Sequence, residues 1–171
     1  SAHLLMRMNG MEQAAARQAI IDRAAAVGLD AARLHLLPPV DGTQRLLHEY
    51  SRLDLALDPF PYHGTTTTCE AFTMGVPVLS LQGDRPASRV GGSLLSLVGL
   101  EDFIADSPED FVARGVRIAA DPSKLAAIRA ELRQRVTGTL GDHAAYARRF
   151  EDAIRKAWHS YCAGELPDDA D

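Results

Sequence analysis

The stretch Leu53–Leu81, LDLALDPFPYHGTTTTCEAFTMGVPVLSL, decides the fold. It reads as strand, tight loop, helix and strand. Leu53, Leu55, Ala56 and Leu57 form a short apolar run of the kind buried in a parallel sheet. Asp58-Pro59 and Pro61 stop the ladder, because proline has no N–H to donate. Gly64 and four threonines, Thr65 to Thr68, follow. The helix they open is predicted to reach Met74, with Gly75 as its stop. Val76, Val78, Leu79 and Leu81 read as the next buried strand.

A helix that begins after a glycine, with hydroxyls in its first turn, suits an anion. Its first N–H groups lack partners within the helix, and its dipole puts partial positive charge there. Gly64 lets a phosphate approach the backbone, and the threonine hydroxyls add donors. Glu70 lies about one turn on, near the face of Thr66 and Thr67. A carboxylate there repels phosphate but can accept from a ribose diol. The pattern suggests diphosphate at the tip and sugar hydroxyls beside it. The same threonines serve equally well as simple helix caps. His63, in the loop ahead of them, is a candidate hydrogen-bond donor to a phosphate; otherwise it is a solvated loop histidine.

Outward from this stretch, strands alternate with helices. HLLMRM, residues 3–8, reads as a strand, unusually close to the first residue. Met11 to Val27 reads as a helix whose apolar side holds Ala14, Ala15, Ile20, Ile21, Ala24 and Val27, stopped by Gly28. Arg33 to Leu37 is a strand, and Gly42 to Tyr50 a short helix. Downstream, Pro86 stands in a first helical turn, and Leu94, Leu95, Leu97 and Val98 fill an apolar face. Arg85, Ser88 and Arg89 cluster at its front, at the carboxyl edge of the preceding strand, where open parallel sheets bind ligands. Phe103 to Ala105 is a short strand; Ser107, Asp121 and Asp142 are helix caps. In the last helix Tyr146, Phe150, Ile154, Ala157, Trp158 and Tyr161 form a stripe that suits core or domain-interface packing. Five candidate strands alternating with helices predict an α/β fold, a Rossmann-like parallel sheet with helices on both faces and extra C-terminal helices. The expected domains are a Rossmann-like lobe over 1–140, a C-terminal helix over 141–163 and an acidic tail over 164–171.

Composition narrows the class. The 171 residues suffice for one α/β domain with a core, and 46% hydrophobic and 24% charged residues are ordinary for a globular protein. A net charge of −5 without a basic block argues against nucleic acid. No run approaches the roughly 20 apolar residues of a membrane span. Two distant cysteines, Cys69 and Cys162, suit a reducing, cytoplasmic compartment, with Cys69 as a packing residue. The six histidines show no metal spacing. Neither GxGxxG, nor a Walker motif, nor a GxSxG elbow occurs, and no acid–base pair stands out.

The run LDPFPYHGTTTTCEAFTMGVPVLSLQGDRPASRVGGSLLSLVGLEDFIA resembles the C-terminal catalytic lobe of the O-GlcNAc transferase/SPINDLY family, inverting glycosyltransferases of the GT-B type. The likeness extends upstream through PVDGTQRLLHEYSRLDLALD and downstream to RRFEDAIRKAWHSYCAGELPDD. It implies a UDP-GlcNAc donor, or GDP-fucose in the SPINDLY branch, and a Ser or Thr acceptor on a protein. Thr65, Thr66 and Thr67, with Gly64 and His63 beside them, fall where the family holds the diphosphate, and Glu70 where an acid holds the ribose. Asp41 falls where backbone groups read the base; Thr43, Leu46 and His48 fall in the segment that flanks it. Human-type enzymes carry lysine at the position of Thr43, histidine at those of Leu46 and Thr65, and aspartate at that of Glu70. No metal or other cofactor is expected. The resemblance also implies further partners from the same polypeptide, an N-terminal lobe supplying the catalytic base and TPR repeats. The expectation is thus a fragment inactive in isolation. A degenerate lobe serving as a scaffold is the alternative from outside enzymology.

Overall fold

A computed structural model of the chain describes residues 2–165. The chain divides after Leu53 into two units. In the first, β1 (Leu4–Arg7) and β2 (Leu34–Leu37) pair in parallel, with Leu4 opposite Leu34 and Arg7 opposite Leu37. Parallel partners need a crossover, here α1 (Ala14–Ala26). The helix is shorter than the predicted Met11–Val27. Met11 is buried in the turn ahead of it. Val27 leaves the apolar side altogether, at 83% exposure, because it is the C-cap and Gly28 follows at φ 80°. After β2, Gly42 at φ 88° turns the chain into α2 (Thr43–Glu49), close to its predicted span. Glu49 bonds Arg7 Nη2 at 2.9 Å and Arg52 Nη1 at 2.8 Å. The Arg52 hydrogen bond, with the charges of both arginines, holds its carboxyl below the usual carboxylate range.

The second unit is a parallel three-stranded ladder in the order β3-β4-β5. β4 (Val78–Leu81) is central and buried throughout, and the helices over residues 66–73, 90–97 and 108–119 all pack on it. β3 (Ala56–Leu57) pairs with Val78 and Leu79, and β5 (Ile104–Ala105) with Ser80 and Leu81. The predicted buried strand from Leu53 is therefore only two residues long and lies at the edge, with Leu57 52% exposed. Just ahead of it, Asp54 pairs with the sequence-distant Arg129 at 2.9 Å, and Leu53 N–H closes a turn on the Tyr50 carbonyl. The α/β class holds, with parallel sheets flanked by helices, but the strands form two ladders, one in each unit.

α3 (Thr66–Thr73) exits through Gly75, at φ 75°; Gly75 N–H bonds Phe72 O at 2.9 Å and Val76 N–H bonds Ala71 O at 2.8 Å. Val76 thus belongs to the helix exit and not to the strand. α4 (Val90–Leu97) follows a short turn over Pro86–Ser88; Leu95 and Val98 enter the core, while Leu97 faces outward. Phe103 closes a turn before β5 rather than joining it. Ser107 caps α5 (Pro108–Ala119) by accepting from Asp110 N–H at 3.1 Å. Asp121 caps α6 (Pro122–Gly138) at Lys124 N–H, and Asp142 caps α7 (His143–Cys162) at Ala145 N–H, each at 2.9 Å. The predicted stripe on α7 contributes nothing to the core. Tyr146, Phe150, Ile154, Trp158 and Tyr161 are all exposed. Of the expected acidic tail, residues 166–171 lie outside the described residues. Among the described residues no helix is long and apolar enough to cross a membrane.

A side chain at Gly75 meets two obstacles, the left-handed backbone and a Cβ position 3.0 Å from the Arg129 carbonyl oxygen. Gly75→Ala is expected to destabilise the fold by about 1–2 kcal/mol, read as a thermal midpoint several degrees lower. An unchanged midpoint would show that the exit of α3 is free to rearrange.

Candidate functional site

The loop between β3 and α3 is held from within. Asp58, at the end of β3, is buried, and both of its oxygens are engaged. Oδ1 accepts from Gly64 N–H at 2.8 Å, and Oδ2 accepts from the Ser80 hydroxyl of β4 at 2.8 Å. His63 is 2% exposed. Its Nδ1 accepts from Gly91 N–H at 3.1 Å, so its proton sits on Nε2, which donates to Leu81 O at 2.9 Å. The neutral ring therefore ties the loop to the end of β4 and the start of α4. His63 N–H adds a bond to Ala87 O at 3.0 Å. This corrects both readings of His63 from the sequence: it is not solvated, and its N–H points into the fold rather than toward a phosphate.

Beyond Gly64 the chain turns outward. Thr65, Thr66 and Thr67 are exposed, whereas Thr68 is buried and donates its hydroxyl to Gly64 O at 3.0 Å. Thr65 stands at the N-cap but accepts no hydrogen bond from the first turn. Thr65 itself is thus no side-chain cap, in contrast to Ser107, Asp121 and Asp142. Glu70 is half-buried in the same helix. Phe60 and Tyr62, in the loop with the cis Phe60–Pro61 bond, are 54% and 78% exposed. Arg85 and Arg89 are exposed at the front of α4; Ser88 is buried in the turn, accepting from Arg85 N–H at 3.3 Å and donating to Arg85 O at 3.0 Å.

The residues expected near the base lie in the other unit. Thr43 opens α2, Leu46 is half-buried on it, and Asp41 is exposed just ahead. His48 lines an open cleft of about 310 Å³ with Val40, Gln44, Arg45 and Glu49; Asp41, Thr43 and Leu46 are not among its lining residues. Among the described residues no group of three His, Cys, Asp or Glu side chains is placed to hold a metal ion. Sequence reasoning missed Asp58, Ser80 and Gly91. The one polar residue inside VLSL was the available signal: a serine at the centre of a buried ladder needs a partner.

A model of glycosyl transferase family 41 matches residues 2–150. The chain belongs to that family. Among curated family 41 relatives, a probable UDP-N-acetylglucosamine–peptide N-acetylglucosaminyltransferase SPINDLY from Solanum lycopersicum is 38% identical over 152 residues, covering 88% of this chain and 16% of the relative. Its counterpart in Arabidopsis thaliana is also 38% identical, over 88% of this chain and 17% of the relative. A third, the probable transferase SEC of Arabidopsis thaliana, is 34% identical over 67% of this chain and 12% of its own length. A solved structure of a mutant Thermobaculum terrenum O-GlcNAc transferase superposes with a TM-score of 0.86 at 31% identity, over 96% of this chain and 32% of that one. The chain thus spans about a sixth of the curated family 41 proteins it matches and about a third of the solved one.

Cys69 follows the tip threonines in α3, and burial, helped by the charge of Glu70, pushes its thiol up. At neutral pH iodoacetamide is expected to label exposed Cys162 at least tenfold faster than Cys69, measured by peptide mass spectrometry. Equal rates would contradict the packed environment of α3.

Proposed function

We propose that this chain is the nucleotide-sugar-binding part of an inverting protein glycosyltransferase, with UDP-GlcNAc as donor and a Ser or Thr hydroxyl as acceptor. The supporting observation is the tip of α3, where Gly64 precedes the exposed Thr65, Thr66 and Thr67 and Thr65 accepts no hydrogen bond from the first turn, in a chain of family 41. Backbone N–H groups, the helix dipole and the hydroxyls hold the donor diphosphate there, and Glu70 takes the ribose. The α2 segment, with Asp41, Thr43, Leu46 and His48, takes the base. The acceptor hydroxyl attacks the anomeric carbon in line, inverting it, and UDP departs as the tip stabilises the charge growing on its diphosphate, without a metal. The base that accepts the acceptor's proton comes from the rest of the polypeptide.

The test is UDP calorimetry on the full natural polypeptide, with GDP as competitor and Thr66→Val with Thr67→Val as the variant. UDP is expected to bind in preference to GDP. The double variant should lose about 1–3 kcal/mol for each hydroxyl bond to the charged diphosphate. Unchanged UDP affinity would refute the phosphate role, and preference for GDP would refute the donor.

The α7 stripe has a place in this reading. Five exposed apolar side chains at three- and four-residue steps suit an interface, and the chain is a sixth of its relatives' length. The occupant proposed is the N-terminal lobe of the same polypeptide. Phe150→Asp with Trp158→Asp is expected to lower the thermal midpoint of the full polypeptide by several degrees and to leave the 171-residue segment unaffected. No change in either would refute the docking.

A further inference from the structure

Four buried residues, Asp58, His63, Ser80 and Gly91, meet behind the tip of α3. Asp58 Oδ1 holds Gly64 N–H, the donor immediately before Thr65. Its Oδ2 is fixed by Ser80 on the central strand. His63, one residue ahead of Gly64, is fixed at both ring nitrogens, by Gly91 N–H and by Leu81 O. Its Nδ1 also lies 3.4 Å from Ser80 Oγ and 3.6 Å from Asp58 Oδ2, so the two side chains form one cluster. Gly91 closes it: a Cβ there would overlap Asp58 Oδ2 and Ser80 Oγ and come within 2.9 Å of His63 Nδ1. Two consecutive loop residues, His63 and Gly64, are therefore bolted to β4 and α4 just before the chain becomes the first turn of α3.

Asp58 is the unusual member. Its side chain is 1% exposed, and its partner of basic type is His63, whose facing nitrogen carries no proton. A buried carboxylate needs compensation. It has two neutral hydrogen-bond donors and the positive ends of α3 and α4, which both begin beside it. Gly64 N–H is thereby spent on the protein. A ligand at the tip meets only the donors that follow, and their direction is set by where Gly64 is held.

We propose that Asp58 and His63 are positioning residues for the donor diphosphate: through Gly64, Gly91 and β4 they fix the direction of the Thr65–Thr67 amides without touching the donor. The proposal rests on the reading of the α3 tip as the diphosphate site. Donors fixed before binding lose little freedom when they take up a diphosphate, so a loosened cluster weakens donor binding and raises donor KM. Asparagine can replace Asp58, because its oxygen still accepts from Gly64 N–H and its amide can donate to Ser80 Oγ. Asparagine can also replace His63 at Gly91, its side-chain oxygen standing near the place of Nδ1.

The experiment measures donor KM, acceptor KM and kcat with UDP-GlcNAc on the full natural polypeptide, alongside thermal midpoints and UDP affinity by calorimetry. Asp58→Ala and His63→Ala are expected to raise donor KM at least tenfold and to leave acceptor KM unchanged; Asp58→Asn and His63→Asn should return donor KM to within threefold of wild type. Folded alanine variants with wild-type donor KM overturn the proposal, as do asparagine variants no better than alanine. Where an alanine variant does not fold, Ser80→Ala decides, since it deletes one hydrogen bond and little volume. A donor KM raised threefold or more supports the proposal, and an unchanged one overturns it. If wild type itself binds no UDP, the diphosphate reading falls and the proposal with it. If wild type binds UDP and the variants match it, the positioning role alone falls.

Discussion

The Asp58 carboxylate, buried at the end of a two-residue strand, is the constraint on which the second unit depends. Burying a carboxylate is costly unless its oxygens are satisfied. Here two hydrogen bonds satisfy them, from Gly64 in the loop and from Ser80 in β4, and Gly91 at the start of α4 packs against the carboxylate. Breaking one such bond leaves a buried partner unsatisfied, at about 1–3 kcal/mol. That is large against the stability of a small domain. The geometry of the loop is accordingly over-determined, while the threonines beyond it remain exposed.

The arrangement divides labour within a few residues. Gly64, His63 and Thr68 turn their polar groups inward and hold the fold. Thr65, Thr66 and Thr67 are exposed beyond them, and Thr65 makes no side-chain cap. A rigid base under an exposed helix tip is what recognition of a diphosphate asks for, since donors fixed before binding lose little entropy on binding. The same residues explain the glycines. Gly64 admits Thr67 and Thr68 against the backbone, Gly75 takes a left-handed exit, and Gly91 leaves room for the carboxylate.

Much of this was legible in the sequence, for physical reasons. The strand–loop–helix–strand order follows from apolar runs punctuated by proline and glycine, and the caps of α5, α6 and α7 follow from Ser107, Asp121 and Asp142. The α/β class and the GTTTT tip were readable for the same reason: local chemistry decides them. What was not legible depends on contacts between distant residues. Asp54, just ahead of β3, pairs with Arg129 in α6. The inward turn of His63 is set by Gly91 and Leu81, 28 and 18 residues away. The periodicity of α7 was read correctly, but periodicity cannot say what covers a face, and its aromatic residues are exposed.

The most direct measurement is a crystal structure of the full natural polypeptide with UDP bound. The account predicts diphosphate oxygens within hydrogen-bond distance of the amides or hydroxyls of Thr65–Thr67, with Gly64 N–H still held by Asp58 and His63 still buried. A diphosphate seated elsewhere, or one that takes Gly64 N–H from Asp58, would contradict it.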